Sequence, residues 1–237
     1  IQRLRKEGKR HAIVDALSDN NLIDIGRASA SLKLITGGSG IAMGLSANFR
    51  AAGKLGRSAN AAKLPRAAGH AAVIAGSCSE ATLEQIARLK KTRHQTFHVD
   101  AVKLGGKQDI VAEALAWAMP KLGQKPILIY ASAGPAEIAK AQARHGRDKA
   151  GTLVERALAK ITKGLVKAGV GRLVLAGGET SGAAVQALGV RGLMIGKQID
   201  PGVPWTMSLG DAPLHLALKS GNFGAPDFFT KAFKVLD

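Results

Sequence analysis

The chain has 237 residues, of which 46% are hydrophobic and 22% are charged, a composition that supports a buried core. Its 29 glycines follow no three-residue period, which excludes a collagen-like protein, and its single cysteine excludes a disulfide framework. No apolar run approaches the ~18 residues needed to cross a bilayer, and the basic first residues lack the apolar core of a signal peptide. We therefore expect a globular, cytoplasmic protein with no membrane partner.

The formal net charge of +17 favours anionic partners such as nucleotides, sugar acids or nucleic acid. A nucleic-acid-binding protein usually gathers its cations in one patch and adds exposed aromatic residues. Here only nine aromatic residues occur, and the cations are spread along predicted helices. The sequence therefore favours solvated helix faces and predicts no specific nucleic-acid partner.

Short apolar strands alternate with longer amphipathic helices along the chain. This alternation predicts an α/β fold with a mainly parallel central sheet flanked by helices. Antiparallel strands are expected near the C-terminus, where Asp200–Gly210 is rich in Gly and Pro. Helices are predicted at Ser79–Lys91, Gln108–Met119 and Thr152–Ala168. The predicted strands are His11–Leu17, Leu32–Thr36, Ala71–Ala75, Thr96–Val99, Ile127–Ala131, Arg172–Ala176, Leu193–Gly196 and Leu214–Lys219.

A small, basic stretch at residues 50–69 has no clear periodicity and is predicted to be a linker. Residues 1–49 then supply only two strands and two helices, too few for an independent domain. We interpret them as a short remnant of a second α/β domain. Residues 70–237 form the main predicted domain. Because the chain also lacks a starting Met, we expect it to be a fragment of a longer protein.

Four glycine-rich turns each follow a predicted strand. In an open parallel sheet such turns meet at the carboxyl ends of the strands, where backbone N–H groups bind phosphate. We therefore predict one nucleotide- or phosphate-binding crevice. No P-loop is present, and Met43 occupies the place of the third glycine of a dinucleotide fingerprint. The turns are Thr36–Gly40, Ala75–Ser79, Ala176–Gly182 and Lys219–Gly224.

Several of these turns lie in longer stretches that carry a family resemblance. The stretches are LITGGSGIAMGL (34–45), AGSCSEATLEQI (75–86), YASAGP (130–135), LVLAGGETSGAAVQALGV (173–190), IGKQIDPGVPWT (195–206) and LALKSGNFGAPDFFTKAF (216–233). In this order they resemble the four-carbon acid sugar kinases, which phosphorylate 3-oxo-tetronate, threonate or erythronate. Members of that family have an N-terminal sugar-acid domain and a C-terminal nucleotide-binding domain. This chain resembles the second domain preceded by the last elements of the first.

The resemblance implies ATP and Mg²⁺ as cofactors and identifies ATP-binding residues in three of the turns. Glu179 cannot lie directly against phosphate, so it would hold Mg²⁺, accept a hydrogen bond from a ribose hydroxyl or cap its helix. No dedicated metal site and no catalytic residue are identified. The implied ATP-binding residues are Ser77, Gly178, Glu179, Thr180, Ser181 and Gly221.

The sugar acid would bind through the missing N-terminal domain, with Gly37, Gly38, Ser39 and Gly40 facing it. We expect this chain alone to be inactive as a kinase. Two other functions remain open: a non-catalytic nucleotide-binding module and a basic nucleic-acid-binding protein. Whether the protein forms a homo-oligomer also remains open. Lys219, beside the last turn, either neutralises a phosphate or is solvated.

Overall fold

The computed structural model describes residues 1–56, 58–123 and 125–236. Arg57 of the predicted linker, and Gln124 and Asp237 of the predicted nucleotide-binding domain, lie outside the described residues. The chain divides into two compact units, Ile1–Asn60 and Ala61–Asp237.

The described part of the first unit is helical, with α1 at Gln2–Lys6, α2 at Asp19–Ala28 and α3 at Ile41–Ala51. The predicted strands at His11–Leu17 and Leu32–Thr36 are wrong, because neither stretch is extended in a sheet. A strand needs a neighbour that pairs its N–H and C=O groups, and no described segment of this unit supplies one.

The second unit alternates strands and helices. Its single sheet has the strand order β2-β3-β1-β4-β7-β6-β5. Its elements are β1 His70–Ala75, α4 Glu80–Lys91, β2 Thr96–His98, α5 Ile110–Ala118, a 3-10 turn Met119–Lys121, β3 Ile127–Tyr130, α6 Pro135–His145, α7 Arg147–Lys167, β4 Val170–Ala176, α8 Gly178–Ala187, β5 Leu193–Asp200, β6 Val203–Ser208, β7 His215–Lys219 and α9 Phe228–Leu236.

Five neighbouring strands of this sheet, β2, β3, β1, β4 and β7, are parallel. The hairpin of β5 and β6 adds an antiparallel edge next to β7. The predicted α/β fold with a mainly parallel sheet and antiparallel strands near the C-terminus is therefore confirmed.

Both faces of the sheet are buried, as the continuous apolar strands predict. Ile74 and Leu175 face one core with Leu158 and Ile161 of α7, and α5 and α8 pack on that side as well. On the opposite face, the residues that alternate with these, such as Val73, pack against α4 and α9. The result is a sheet between two helical layers, with its strand ends free for a site.

Side chains and glycines near the helix ends determine where several helices begin. The Ser79 side chain caps α4 by accepting a hydrogen bond from the backbone N–H of Thr82 (3.3 Å). Asp109 caps α5 in the same way with two backbone N–H groups, each at 3.1 Å. Helix α7 begins at Arg147, five residues before its predicted start, because Gly146 alone separates it from α6.

Candidate functional site

Three of the four glycine-rich turns meet at the carboxyl ends of the adjacent strands β1, β4 and β7. Backbone hydrogen bonds join them: the N–H of Gly76 donates to Ala176 O (2.9 Å), and the N–H of Gly177 donates to Lys219 O (2.8 Å). The chain leaves β1 toward β2 on one side of the sheet and leaves β4 toward β5 on the other. Ligands of open α/β sheets bind in the crevice at such a reversal.

Glycine is required where these turns touch. A Cβ atom on Gly76 would lie 2.2 Å from Thr180 Oγ1, and one on Gly221 would lie 2.3 Å from Ser77 Oγ. Gly177 has φ +132°, which side chains rarely adopt. Gly178, in contrast, has nothing within 4 Å of the place its Cβ would occupy. The backbone at the start of α8 is therefore open to a ligand.

A cavity of about 440 Å³ opens beside these turns. Gly76 and Ser77 after β1, and Glu179 and Thr180 in the first turn of α8, are part of its lining, to which α6 and α7 also contribute. The first N–H groups of a helix have no partner within the helix, so the start of α8 offers donors to an anion.

A family model described as the nucleotide-binding C-terminal domain matches residues 72–229, which include these three turns and the cavity. The chain is 54% identical over 237 residues to the 3-oxo-tetronate kinase of Burkholderia multivorans and 51% identical over 236 residues to that of Pseudomonas fluorescens. The chain belongs to the four-carbon acid sugar kinase family. The resemblance noted in the sequence is thereby confirmed.

These matches cover the whole of this chain, whereas they cover only 55% and 54% of the two relatives. The chain therefore spans about half the length of the curated relatives it matches. Two solved structures also match the whole of this chain and about half of their own length. One from Salmonella typhimurium LT2, described as a tRNA synthase, has a TM-score of 0.81 and 36% identity over all of this chain and 55% of its own. A Haemophilus influenzae protein has a TM-score of 0.75 and 33% identity, covering 56% of that chain.

Only some of the residues that the resemblance implies for ATP binding line the cavity. Ser77, Glu179 and Thr180 line the cavity, and Gly178 and Ser181 are their neighbours in the first turn of α8. Gly221 is in the turn after β7, which contributes no residue to the lining but contacts Ser77. The Ser181 side chain is buried, and its hydroxyl donates to Leu175 O (3.2 Å). The Ser181 side chain therefore anchors α8 to β4. The backbone N–H of Ser181 also has a partner, because it donates to Gly177 O.

Lys219 is fully buried, so of the two alternatives left open for it, the solvated lysine is wrong. Its Nζ lies within hydrogen-bond distance of the carbonyl oxygens of Ser220 (3.0 Å), Gly221 (2.8 Å) and Phe223 (3.1 Å) and of Thr82 Oγ1 (3.0 Å), four acceptors that share its three N–H groups. Burial lowers the pKa of Lys219 to about 8. This ammonium group therefore organises the last glycine turn from beneath.

Polar side chains of α4 hold the same turn. The Thr82 hydroxyl donates to Gly221 O (2.9 Å), and Gln85 Nε2 donates to the carbonyl oxygens of Phe223 (3.1 Å) and Gly224 (2.9 Å). Ser79 Oγ donates to Thr82 Oγ1 and accepts from Ser77 Oγ, both at 3.2 Å. A continuous chain of hydrogen bonds thus runs from the Lys219 ammonium to the Ser77 hydroxyl.

Sequence reasoning did not identify Thr82 and Gln85. Their signal was available: positions 82, 85 and 89 share one face of α4, and the apolar Leu89 marks that face as buried. A buried polar side chain needs a partner, so two of them on a core face indicate a specific contact. The walls of the cavity from α6 and α7 gave no comparable signal, because their alanines also suit any packed helix.

The fourth turn, Thr36–Gly40, lies in the first unit and follows no strand. Gly37, Gly38 and Gly40 line a cavity within that unit, together with basic side chains, whereas Ser39 does not. Those basic residues are Arg5, Lys9 and Arg10.

Two properties of residues 1–56, 58–123 and 125–236 concern membranes and metal ions. No helix among them is long and apolar enough to cross a membrane. No three His, Cys, Asp or Glu side chains in those ranges are grouped as metal ligands would be.

Proposed function

We propose that the chain is the nucleotide-binding part of an ATP-dependent kinase that phosphorylates a four-carbon sugar acid in the cytoplasm. The observation that carries the proposal is that three glycine-rich turns meet beside a cavity, at the point of the sheet where the connections from β1 and β4 run to opposite sides. The names of its relatives, 3-oxo-tetronate kinases, support the substrate class. Threonate and erythronate are further candidate acceptors.

Phosphoryl transfer requires the protein to position the reactants and neutralise phosphate charge, and it requires no covalent intermediate with the protein. A hydroxyl oxygen of the sugar acid attacks the γ-phosphorus, and the bond from that phosphorus to ADP breaks. The first N–H groups of α8 and the hydroxyl of Thr180 are suited to donate to phosphate oxygens. The Ser77 hydroxyl, which donates to Ser79 Oγ in the unliganded chain, would rotate to do the same. We assign no catalytic base in this chain.

Mg²⁺ usually binds one or two carboxylates together with phosphate oxygens and waters. Glu179 fits this need, because it is exposed in the first turn of α8 and lines the cavity next to Thr180. We propose that Glu179 holds the ion that accompanies ATP, where it would neutralise phosphate charge. The alternative role, a hydrogen bond with a ribose hydroxyl, uses the same position.

For the acceptor we propose the Gly37–Gly40 turn, on the ground of the cavity in its own unit. Arg5, Lys9 and Arg10 in that cavity could bind the carboxylate of a sugar acid. We interpret residues 1–49 as the remnant of a sugar-acid domain and residues 50–69 as its linker to the nucleotide-binding domain.

We expect the 237-residue chain by itself to bind ATP and to transfer no measurable phosphate to 3-oxo-tetronate, threonate or erythronate. The reason is that it spans about half the length of its relatives. Adding the portion of the Burkholderia multivorans relative that this chain does not match, fused or as a separate chain, should produce turnover in a coupled ADP-release assay. That portion alone is the control. Full turnover by the 237-residue chain alone would contradict this expectation.

The positive charge raises nucleic-acid binding as a second candidate function, which we do not favour. The structure supplies one observation for it: Arg156, Lys160, Lys163 and Lys167 are all exposed and share one face of α7 by their spacing. Such a stripe attracts polyanions, yet few aromatic residues are available to stack on bases.

We therefore expect DNA binding to be weak, independent of sequence and lost steeply as salt rises, because it would rest on counterion release. ATP binding should depend less on salt, since backbone N–H groups in a partly enclosed crevice carry much of it. Titrations of both ligands from low to physiological ionic strength measure this difference. DNA binding that persists at physiological salt while ATP binding is undetectable would exclude the kinase proposal.

A further inference from the structure

Two cavities open near the end of β3. Tyr130, the last residue of that strand, packs on the sheet face that α4 covers, whereas Ala131 belongs to the core beside α7. Ala131 lines the cavity beside the glycine turns, and Tyr130 lines another cavity of about 320 Å³, the α4 cavity. The two cavities share His98, Ala133 and Glu137, but no residue of the glycine turns lines the α4 cavity. The α4 cavity therefore offers a site that the glycine turns do not form.

The lining of the α4 cavity contains one lysine and one glutamate. Lys90 of α4 and Glu137 in the first turn of α6 are both exposed, and neither has an ion-pair partner in the part of the chain that the structure describes. The Lys90 ammonium donates to the Tyr130 hydroxyl and lies 4.4 Å from the centre of the Tyr130 ring. The His98 ring stacks on Tyr130, with the two ring centres 4.8 Å apart. The cation is therefore held against the cavity by Tyr130, while the carboxylate has no partner.

The same lining includes an apolar surface and a hydroxyl without a partner. Leu83, Ile86 and Ala87 recur at helical spacing on one face of α4. Ser132 also lines the cavity and is only 3% exposed, and its Oγ has no hydrogen-bond partner among the described residues. Buried polar groups nearly always have a partner, so a bound molecule that supplies the missing bond would explain this one. The Ser132 hydroxyl can turn toward such a molecule without breaking an existing bond.

We propose that the α4 cavity binds a small aliphatic α-amino acid in its zwitterionic form. The carboxylate of the amino acid accepts from Lys90 and from the Tyr130 hydroxyl, whose proton is free because its oxygen accepts from Lys90. The ammonium group donates to Glu137, which gives that carboxylate the partner it lacks. A short aliphatic side chain covers the apolar face of α4, since ligand cavities combine apolar walls with a few polar groups that fix orientation. Binding there does not depend on the proposed kinase function.

Ligands with only one kind of charge suit this cavity less well. A nucleotide carries several negative charges, and the lining sets one glutamate, Glu137, against one lysine, Lys90. A four-carbon sugar acid has a carboxylate for Lys90 but no cation for Glu137, and its hydroxyl groups would lie against the apolar face of α4 without partners. An amino acid meets each of these requirements within one small molecule.

The test uses L-valine and two analogues that each lack one of its charges. Isovalerate keeps the carboxylate and the branched side chain, and isobutylamine keeps the ammonium and the branched side chain. In calorimetric titrations of the 237-residue chain without ATP, L-valine should bind at least tenfold more tightly than either analogue. The reason is that each lost charge-assisted contact costs about a factor of ten or more in affinity.

Two variants identify the partner of each charge. Lys90→Met should weaken L-valine binding at least tenfold and leave isobutylamine binding no weaker, because it removes the partner of the carboxylate and a repulsion of the ammonium. Glu137→Gln should weaken L-valine binding at least tenfold and leave isovalerate binding no weaker, for the converse reason. Lys91→Met and Glu84→Gln, at exposed positions of α4 outside the lining, are the matched controls and should change no affinity. All four side chains are exposed, so the fold should tolerate these changes.

Gly151→Leu distinguishes the two cavities. Gly151 lines only the cavity beside the glycine turns, and its Cβ would have only Glu155 Oε1 near it, at 4.0 Å. This variant should leave the affinity for L-valine within twofold, and a tenfold loss would place L-valine in that other cavity and overturn the proposal. No detectable binding of L-valine by wild type, equal affinity for L-valine and isovalerate, or unchanged affinity in Lys90→Met would each overturn it as well. None of these results would contradict ATP binding at the glycine turns.

Discussion

Replacing Gly178 by valine should weaken ATP binding at least tenfold, about 1.4 kcal/mol, while the melting temperature of the unliganded chain stays the same. Gly178 is the first residue of α8, and its N–H belongs to the group that has no partner within the helix. A branched side chain there would keep phosphate away from those donors. The fold should tolerate it, because nothing lies within 4 Å of the added Cβ.

Gly182→Val is the matched control for this prediction. Gly182 lies one turn further along the same helix, and its Cβ also meets nothing within 4 Å. Calorimetric titration with ATP and thermal melting of the three proteins measure the two effects. Unchanged affinity in Gly178→Val would remove the Ala176–Gly182 turn from the site. An equal loss in Gly182→Val would mean that the substitution disturbs the helix rather than the phosphate contact.

Replacing Lys219 by methionine should lower ATP affinity at least tenfold. Methionine keeps most of the apolar stem but removes the ammonium that bonds to three carbonyl oxygens of the last turn and to Thr82. The turn carries Gly221 against Ser77, and Ser77 is itself tied to Thr82 through Ser79. Loss of the anchor should therefore displace two of the predicted ATP-binding residues together.

The same variant should change the dependence of stability on pH. The pKa of Lys219 is lowered by burial to about 8, against an ordinary 10.5, so between these values the unfolded chain holds a proton that the folded chain has lost. Raising the pH through this window therefore favours the folded wild type, by up to about 3 kcal/mol. Below pH 8 both states are protonated and the contribution is constant.

Denaturant unfolding at pH 7.5, 9 and 10.5 measures the effect as the difference between wild type and Lys219→Met. Taking this difference cancels the contributions of the other titrating groups to the free energy of unfolding. Lys197→Met, at an exposed position of β5, is the control for loss of a lysine. The difference in free energy of unfolding should rise with pH for Lys219→Met and stay flat for Lys197→Met. Parallel curves for all three proteins, with unchanged ATP affinity in Lys219→Met, would show that the ammonium does not organise the turn.

By itself the sequence determined the fold class of the second unit and most of its strands, but not the order of the strands in the sheet. The strands at Ala71–Ala75 and Ile127–Ala131 and the helix from Ser79 could be predicted because apolar runs, helical spacing and a serine cap act locally. The order of turns and strands also placed three of the four glycine turns at one edge of the sheet, since parallel strands share the direction of their carboxyl ends. The prediction was wrong for Thr36–Gly40, which follows no strand.

Only the tertiary structure decided three other features. His11–Leu17 has the pattern of a strand, yet pairing depends on a neighbour that local sequence cannot supply. Lys219 looks like any strand-end lysine until α4 covers it with Thr82 and Gln85, more than 130 residues away in the chain. The α6 and α7 wall of the cavity forms because these two helices, separated by Gly146 alone, both lie beside the turns after β1 and β4. Burial and pairing are properties of the whole fold, so they determine which residues of a local pattern form the site.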